Sequence, residues 1–219
     1  MSFDFETELA TERVRRVREL SNARLLFIDA SNSLKVAASH GLIVLCYAHW
    51  EGYYNFCTRV YVRYINSLGV RILDINPALL ACEIDPFLDS LRSKDFKVQH
   101  RPKFARDVYS KVETRKLLGN LKLLSAASNL DFERLKLCAA TLDLDLSDLL
   151  RHENFIKHEL VKWRHQVAHG DVPELDEVDF LDHTSKTENL LLLLKTVFED
   201  RLLSYESSVS EAHNAGLEV

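Results

Sequence analysis

The chain is poor in the residues that interrupt helices. Its 219 residues include only six glycines and four prolines, whereas a turn-rich β architecture needs many of both. Long uninterrupted helices are therefore favoured. Apolar residues make up 47% and charged residues 28% of the chain, a composition that is ordinary for a globular domain and excludes wholesale disorder.

Cysteine is also scarce, and no cysteine pair has the spacing of a redox or zinc motif. The four cysteines are Cys46, Cys57, Cys82 and Cys138. We interpret them as reduced, mostly buried thiols rather than as a disulfide framework. The histidines show no recognisable metal-ligand spacing either, so we expect no metal and no cofactor.

The chain lacks an apolar run that is long enough to cross a bilayer. The longest runs lie around 42–48 and 190–194, and both are far shorter than a membrane span. The first six residues are acidic and lack the basic and apolar regions of a signal peptide. We therefore expect a cytoplasmic protein without a membrane partner. The net charge of −5 argues against nonspecific coating of nucleic acid, but it permits a local basic groove.

Apolar residues recur at helical spacing almost throughout the chain. The spacing predicts helices over about 5–29, 33–67, 108–142, 147–169 and 184–207. The stretch 70–106 contains three X-Pro pairs and predicts short helices and loops. No internal repeat or domain boundary is visible. We expect a single all-α domain over residues 1–208 and a flexible C-terminal tail over residues 209–219.

Two groups of basic residues have both a functional and a bland interpretation. One group lies in the first helix and consists of Arg13, Arg15, Arg16 and Arg18. The other lies in the proline-containing stretch and includes Lys97, Arg101, Lys103 and Arg106. Either group would suit a surface that contacts RNA, although solvated charges with salt-bridge partners are the more common explanation.

The most informative segment is Arg164–Gly170, where a predicted helix ends. It brings together Arg164, His165, His169 and the helix-ending Gly170. Arginine binds phosphate through a planar fork, and imidazole titrates near neutral pH. Such a set can hold a phosphodiester and move a proton without a metal. The bare spacing of arginine and histidine is weak on its own, since about one such pair is expected by chance.

A second pair, Arg151 and His158, is separated by six residues and serves as a decoy. We expect it in the middle of a helix, on a face exposed to solvent. Arg164 and His169 lie at a helix end instead. An undistorted helix would leave their side chains about 140° apart. A loosened last turn at 167–170 would let the two side chains converge.

The surrounding residues match a known pattern. Leu160-Val161-Lys162-Trp163-Arg164-His165-Gln166-Val167-Ala168-His169-Gly170-Asp171 resembles the signature of the HEPN superfamily, in which an arginine, a polar residue, three more residues and a histidine stand at a helix end. Ala48-His49-Trp50-Glu51-Gly52-Tyr53 resembles the Trp-Glu-Gly-Tyr segment of a bacterial branch grouped with toxin–antitoxin and phage-defence ribonucleases. The resemblance extends over about residues 13–203.

This resemblance implies a HEPN-like bundle of four or more long helices with additional short helices. It also implies a catalytic pair, Arg164 and His169, and often a homodimer whose two motifs share one groove. His165 occupies the polar position, where the family most often has asparagine, and its imidazole can still donate a hydrogen bond to phosphate. The branch implies a toxin or phage-defence effector with a cognate antitoxin protein as a candidate partner.

The implied reaction is RNA cleavage by the 2′-hydroxyl of the substrate. His169 would take the hydroxyl proton or protonate the leaving 5′-oxygen, and Arg164 would hold the nonbridging oxygens. The products would be a 2′,3′-cyclic phosphate and a 5′-hydroxyl, and DNA would resist cleavage. Two alternatives remain open. One is a non-catalytic HEPN-like module that binds RNA, a nucleotide or a partner protein, and the other is a purely structural helical domain.

Two carboxylates are candidates to orient the catalytic pair. Glu51 would do so if its helix packs against the Arg164 helix, and Glu159 lies five residues before Arg164. A structural ion pair is an equally good interpretation of each. We interpret Trp50 and Tyr53 as core or interface anchors. The histidines without a partner pattern are treated as surface residues, namely His40, His100, His152 and His183.

Overall fold

The computed structural model describes residues 4–119, 121–127, 129–171 and 177–215. Every regular element in this part of the chain is helical. The α-helices are α1 (Phe5–Asp29), α2 (Asn32–Ser67), α3 (Ile72–Ile75), α4 (Leu80–Arg92), α5 (Arg101–Tyr109), α6 (Phe132–Leu142), α7 (Ser147–Leu150), α8 (Glu153–Phe155), α9 (Lys162–Ala168) and α10 (Glu177–Ala215). The predicted all-α fold is confirmed.

Helices α1 and α2 form an antiparallel hairpin whose limits agree with the sequence prediction. At the start of α1, Asp4 Oδ1 accepts a hydrogen bond from the Thr7 N–H at 3.0 Å, as an N-cap residue does. Ser31 stands in extended conformation just before α2. Gly69 follows the end of α2 with φ of +68°, a conformation that suits glycine.

Helix α2 is the central helix, and α1, α9 and α10 pack along it. It contributes the largest fully buried side chains, among them Trp50, Tyr53, Tyr54 and Tyr61. Buried tyrosines need partners for their hydroxyl groups. Tyr53 donates to the Leu9 carbonyl at 2.9 Å and Tyr54 to the Leu124 carbonyl at 2.8 Å. These bonds tie the core to α1 and to the loop before α6.

The helix predicted over 108–142 is wrong in its first two-thirds. Helix α5 ends at Tyr109 and α6 begins at Phe132, with turns and one 3-10 turn (Leu121–Leu123) between them. The buried leucines of this segment lie in a loop. Side chains of other elements bind the backbone of this loop and hold it in place. The buried Glu83 carboxylate accepts the N–H groups of Leu118 and Gly119. A side chain at Gly119 would overlap the Cys82 carbonyl oxygen, so only glycine permits this approach.

The helix predicted over 147–169 is interrupted. After α7 the chain turns at 151–152, and a π-helical segment, Ile156–Val161, then joins α8 to α9. Asp145 lies two residues before α7, and its carboxylate accepts the Ser147 N–H at 2.9 Å, while the N-cap residue Leu146 makes no side-chain capping bond. The last helix runs over 177–215, so it is longer at both ends than predicted. It continues into the segment expected to be a tail, and residues 216–219 lie outside the described part.

The treatment of His183 as a surface residue is wrong, because its side chain is fully buried between α9 and α10. Its ring stacks on Trp163, with ring centres 4.8 Å apart. Neither ring nitrogen has a hydrogen-bond partner within the described residues. Burial lowers the pKa of His183 to about 4, because the charged form loses its hydration.

Candidate active site

The helix that carries the arginine–histidine segment ends in a defined cap. Helix α9 stops at Ala168, and Gly170 has φ of +85°. The Gly170 N–H donates to the Val167 carbonyl at 3.1 Å, and the Asp171 N–H donates to the Gln166 carbonyl at 2.9 Å. This is the Schellman arrangement, in which a left-handed glycine satisfies the last carbonyls of a helix. The predicted helix end at Gly170 is confirmed.

The two imidazoles of the segment lie side by side. The rings of His165 and His169 are both exposed, with centres 4.3 Å apart and planes inclined by 55°. Residues four apart share one face of a helix. The backbone keeps this relation to the last turn, since the His169 N–H donates to the His165 carbonyl at 3.1 Å.

Convergence of Arg164 and His169 through a loosened last turn stays a prediction. No hydrogen bond joins the two side chains in the described part of the chain. Arg164 points toward α2 instead, where its guanidinium carbon lies 3.9 Å from the centre of the Tyr47 ring. Its Nη2 also donates to Asn129 Oδ1 at 3.4 Å. The half-buried guanidinium is therefore held by a cation–π contact and an amide.

Tyr47 links this guanidinium to one of the candidate carboxylates. Its hydroxyl accepts the Leu130 N–H at 2.7 Å and donates to Glu51, while Asn129 Oδ1 lies 3.1 Å away. Burial and the hydrogen bond to Glu51 raise the pKa of Tyr47 to about 12, so the phenol is neutral at physiological pH. We call Glu51, Tyr47, Asn129 and Arg164 the Tyr47 network.

The network defines the place of Glu51 relative to Arg164. Glu51 and Arg164 are linked through Tyr47. Glu51 accepts the hydrogen bond of the Tyr47 hydroxyl, and the Arg164 guanidinium lies over the Tyr47 ring. The other candidate carboxylate, Glu159, forms an ion pair with Lys186 of α10 at 3.6 Å. That contact agrees with the structural ion-pair interpretation of Glu159.

Two members of the network were missed by sequence reasoning. Tyr47 lies one helical turn before Glu51, so the i, i+4 spacing on α2 was a signal for it. Asn129 carried no signal, because 82 residues separate it from its contact with Tyr47.

The Trp-Glu-Gly-Tyr segment joins α2 to its neighbours. Trp50 Nε1 donates to the Leu130 carbonyl at 3.0 Å, which anchors the loop next to Asn129. A Cβ atom at Gly52 would lie 2.7 Å from Arg16 Nη1, so the glycine leaves room for this guanidinium. Trp50 and Tyr53 are fully buried, as expected of core anchors.

Arg16 is half-buried and joins α1 to α2. Its Nη2 pairs with Glu12 at 2.7 Å, and its Nη1 donates to the His49 carbonyl at 3.4 Å. The neighbouring Arg15 pairs with Glu12 and Glu19. The salt-bridged interpretation of this basic group is therefore confirmed for these two arginines.

The second basic group lies on and before α5, and all four side chains are exposed. Lys97 lies 3.8 Å from Asp95, and Lys103 pairs with Asp107 at 2.8 Å. Arg101 donates to the Phe96 carbonyl at 3.2 Å. Contact of Lys97, Arg101, Lys103 and Arg106 with RNA stays a prediction.

The decoy pair is exposed, as expected, but Arg151 is not in the middle of a helix as predicted. Arg151 lies in the turn after α7 and is 3.5 Å from Asp148, and His158 lies on the π-helical segment. Among the described residues, no three histidine, cysteine or acidic side chains form a group that could hold a metal ion. A search of the same residues finds no helix of the length and apolarity needed to span a membrane.

The helical bundle and its arginine–histidine helix end define a HEPN-type domain. A family model described as MAE_28990-like HEPN matches residues 5–207. The chain belongs to this HEPN family. No curated protein and no solved structure matches the chain.

Proposed function

We propose that this HEPN protein is a metal-independent endoribonuclease. The observation that carries the proposal is the arrangement at the end of α9. A fixed guanidinium and two exposed imidazoles stand within six residues, in a chain of a superfamily that includes many ribonucleases. Arginine supplies charge for a phosphodiester, and the imidazoles supply groups that exchange protons near neutral pH.

The proposed reaction uses the nucleophile that RNA itself carries. One imidazole, which we assign to His169, takes the proton of the 2′-hydroxyl as the 2′-oxygen forms a bond to phosphorus. The bond from phosphorus to the 5′-oxygen breaks, and a protonated imidazole donates a proton to that oxygen. His165, 4.3 Å from His169 between ring centres, is a candidate for this second role, and the His169 of a second subunit is the other.

Arg164 would stabilise the extra negative charge on the nonbridging oxygens. The Tyr47 network supports this role because it orients the guanidinium before substrate arrives. A preorganised charge requires little rearrangement during the reaction, which is why such groups contribute strongly to catalysis. Stacking on Tyr47 leaves the edge of the planar guanidinium available to donate hydrogen bonds.

The biological setting that we propose follows the branch resembled by the Trp-Glu-Gly-Tyr segment. The protein would act in the cytoplasm as a toxin or phage-defence effector, with a cognate antitoxin protein as its inhibitor. It would form a homodimer in which two copies of the arginine–histidine segment face one groove. RNA would be the substrate of that groove.

A substitution experiment tests the proposal against an internal control. His169→Ala and Arg164→Ala should each abolish RNA cleavage and relieve growth inhibition while the helical circular dichroism signal is retained. Arg151→Ala and His158→Ala remove the same residue types from exposed positions and should cleave at the wild-type rate. Cleavage at the wild-type rate by either α9 variant would overturn the assignment.

The alternative is a non-catalytic HEPN module that binds RNA, a nucleotide or a partner protein. The presence of His165 where asparagine is usual in the family is the observation that favours it. Incubation of purified protein with structured RNA and EDTA separates the two functions. Binding without cleavage by the wild-type protein would establish the module and reject the nuclease.

A further inference from the structure

A cavity of about 640 Å³ lies beside α2, against the loop of residues 117–127. Its volume is within the range of small-molecule sites, about 300–1,000 Å³. Its lining combines polar side chains, apolar side chains and arginines. The α2 residues are Asn55, Thr58, Arg59, Val62, Arg63 and Asn66, and the loop residues are Leu117, Leu121, Ser125 and Ala127.

The loop wall of this cavity is fixed by side chains from other elements. Asn66 of α2 accepts the Leu117 N–H at 2.7 Å and donates to the Leu117 carbonyl at 3.2 Å. Arg134 of α6 donates to the Ser125 carbonyl at 2.9 Å and also to that of Lys122. These contacts hold the wall in place, so the cavity is formed before any ligand arrives.

One residue of the wall has a strained backbone. Ala127 has φ of +55°, a left-handed conformation that costs a residue with a Cβ atom about 1–2 kcal/mol. The neighbouring Ala126 N–H donates to Asn55 Oδ1 at 3.0 Å, which holds the strained turn against α2. Strain that the surroundings maintain in this way clusters at ligand sites.

The cavity and the proposed active site border the same two elements, α2 and the loop before α6. Tyr47, Glu51 and Asn55 follow one another at intervals of one turn on α2, and Asn55 and Arg59 line the cavity. A rise of 1.5 Å per residue places Asn55 about 12 Å along the helix from Tyr47. On the loop side, Ala127 lies two residues before Asn129, which binds Arg164. The cavity and the place of the Arg164 guanidinium therefore share α2 and this loop.

The lining chemistry fits a nucleotide. The Asn55 side chain accepts the Ala126 N–H through Oδ1 and can still donate its amide group to the edge of a base. The hydroxyls of Thr58 and Ser125 donate to backbone carbonyls and can still accept hydrogen bonds. Val62, Leu117 and Leu121 offer apolar contact for the faces of the base. Arg59 is exposed at the α2 side. Arg59 and Arg63 line the cavity, and Arg63 pairs with Glu8, so Arg59 supplies the charge that can attract phosphate despite the negative charge of the whole chain.

We propose that the cavity receives an unstacked nucleotide of the RNA strand whose scissile phosphate lies at Arg164. The proposal rests on the proposed function and adds a specificity subsite to it. Sequence-specific recognition of RNA commonly uses splayed-out bases that are read by polar groups in a pocket. The cavity would set which nucleotide is accepted near the cleavage point.

Two tryptophan substitutions in one loop test the subsite. Leu121 lines the cavity and is 40% exposed, whereas Leu118 is 77% exposed and is absent from the lining. Leu121→Trp should fill the cavity and weaken binding of a fluorescent 2′-O-methyl RNA oligonucleotide about tenfold or more. Leu118→Trp should leave the affinity within about twofold. Equal affinities of the two variants would overturn the proposal.

Two substitutions that each remove one positive charge provide a second test, and this test does not depend on folding of the tryptophan variant. Arg59→Ala should weaken binding of the oligonucleotide and reduce the salt dependence of that binding. Arg18→Ala, on the exposed face of α1, should change neither the affinity nor its salt dependence. A titration with nucleoside 3′-monophosphates distinguishes a free nucleotide from a strand. Monophosphates that bind as tightly as the oligonucleotide would reject the strand as occupant.

The 2′-O-methyl probe cannot be cleaved through its 2′-oxygen, so these measurements are independent of catalysis. If Leu121→Trp loses binding and the wild-type protein does not cleave RNA, the subsite is supported and the nuclease is rejected. If Leu121→Trp binds as the wild type does and cleavage requires His169, the nuclease is supported and the subsite is rejected.

Discussion

Arg164 depends on its neighbours in a way that lysine could not reproduce. Its guanidinium carbon lies 3.9 Å from the centre of the Tyr47 ring, and a guanidinium has a planar fork of N–H donors that an ammonium group lacks. Tyr47 is in turn fixed by Leu130 and Glu51. The position of the proposed phosphate-binding group is therefore determined by α2 and the loop before α6, as well as by α9.

Substitution of Glu51 tests whether the Tyr47 network positions Arg164. Glu51→Ala removes the acceptor of the Tyr47 hydroxyl and should lower kcat about tenfold with little change in KM, since the guanidinium loses its alignment. Glu51→Gln keeps an acceptor oxygen and should restore most of the rate. The measurement is steady-state cleavage of a fluorogenic RNA.

Glu159→Ala is the matched control, because Glu159 pairs with Lys186 on α10. It should change kcat less than about twofold. Equal losses in Glu51→Ala and Glu159→Ala, or no recovery in Glu51→Gln, would contradict a positioning role for Glu51.

His183 makes stability depend on pH in a predictable direction. Below pH about 6.5 the unfolded chain binds a proton that the folded protein binds only near pH 4. Stability is therefore lost as the pH falls through this window, by about 3 kcal/mol in total. His183→Phe keeps an aromatic ring against Trp163 and should remove this loss. Midpoints of urea unfolding between pH 7 and pH 4.5 measure this loss of stability. Parallel curves of midpoint against pH for the wild type and His183→Phe would contradict the account.

Part of the candidate site could be predicted from the sequence. Arg164, His165 and His169 were recognisable because they are neighbours in the chain and stand before a glycine. Tyr47 and Asn129 belong to other segments, and only the packing of α2, α9 and the loop brings them together. The buried state of His183 was equally hidden, since its ring is covered by Trp163 and Phe155 of the preceding helices.

At the scale of elements, local rules succeeded where local chemistry determines a helix end. Gly170 marks a predicted end that the structure confirms, and the structure adds Asp4 as the N-cap of α1 and Gly69 after α2. The rules failed for 108–131, where leucine spacing resembles a helix but the backbone is bound by Glu83, Asn66 and Arg134. Glu83 and Asn66 are distant in sequence, and their contacts together with those of Arg134 outweigh the helical preference of the leucines.

The cap of α9 gives a test at this scale. Gly170→Ala places a Cβ atom at φ of +85° and should destabilise the protein by about 1–2 kcal/mol. It should also lower cleavage, because the backbone at the cap sets the position of His169. Thermal denaturation and the cleavage rate are the measurements.

Gly41→Ala is the control for this substitution. Gly41 lies within α2 with no atom within 4 Å of an added Cβ, so alanine should stabilise the helix by up to about 1 kcal/mol. A Gly170→Ala protein that is as stable and as active as Gly41→Ala would contradict the role assigned to the cap.

At the scale of the whole molecule, the acidic chain carries its proposed RNA-binding charge locally. Arg59 and Arg63 of α2 line the cavity and Arg164 of α9 lies over Tyr47 of α2, while the net charge is −5. Binding should therefore be strongly salt-dependent even though the protein is acidic overall.

The proposed homodimer is testable by mass. Light scattering after size-exclusion chromatography should give about twice the chain mass of 25.2 kDa, because a shared groove needs two copies of the α9 segment. The same fractions should carry the cleavage activity. A monomer mass in fractions that cleave RNA at full rate would contradict the dimer and assign the second proton transfer to His165 of the same chain.

The chemistry of the RNA ends tests the central claim most directly. Purified protein in EDTA should convert a structured RNA into fragments with 2′,3′-cyclic phosphate and 5′-hydroxyl ends, and a 2′-deoxy nucleotide at the scissile position should block the cut. His169→Ala protein purified in parallel should leave the RNA intact. Fragments with 3′-hydroxyl and 5′-phosphate ends, or no fragments at all from the wild-type protein, would contradict the account.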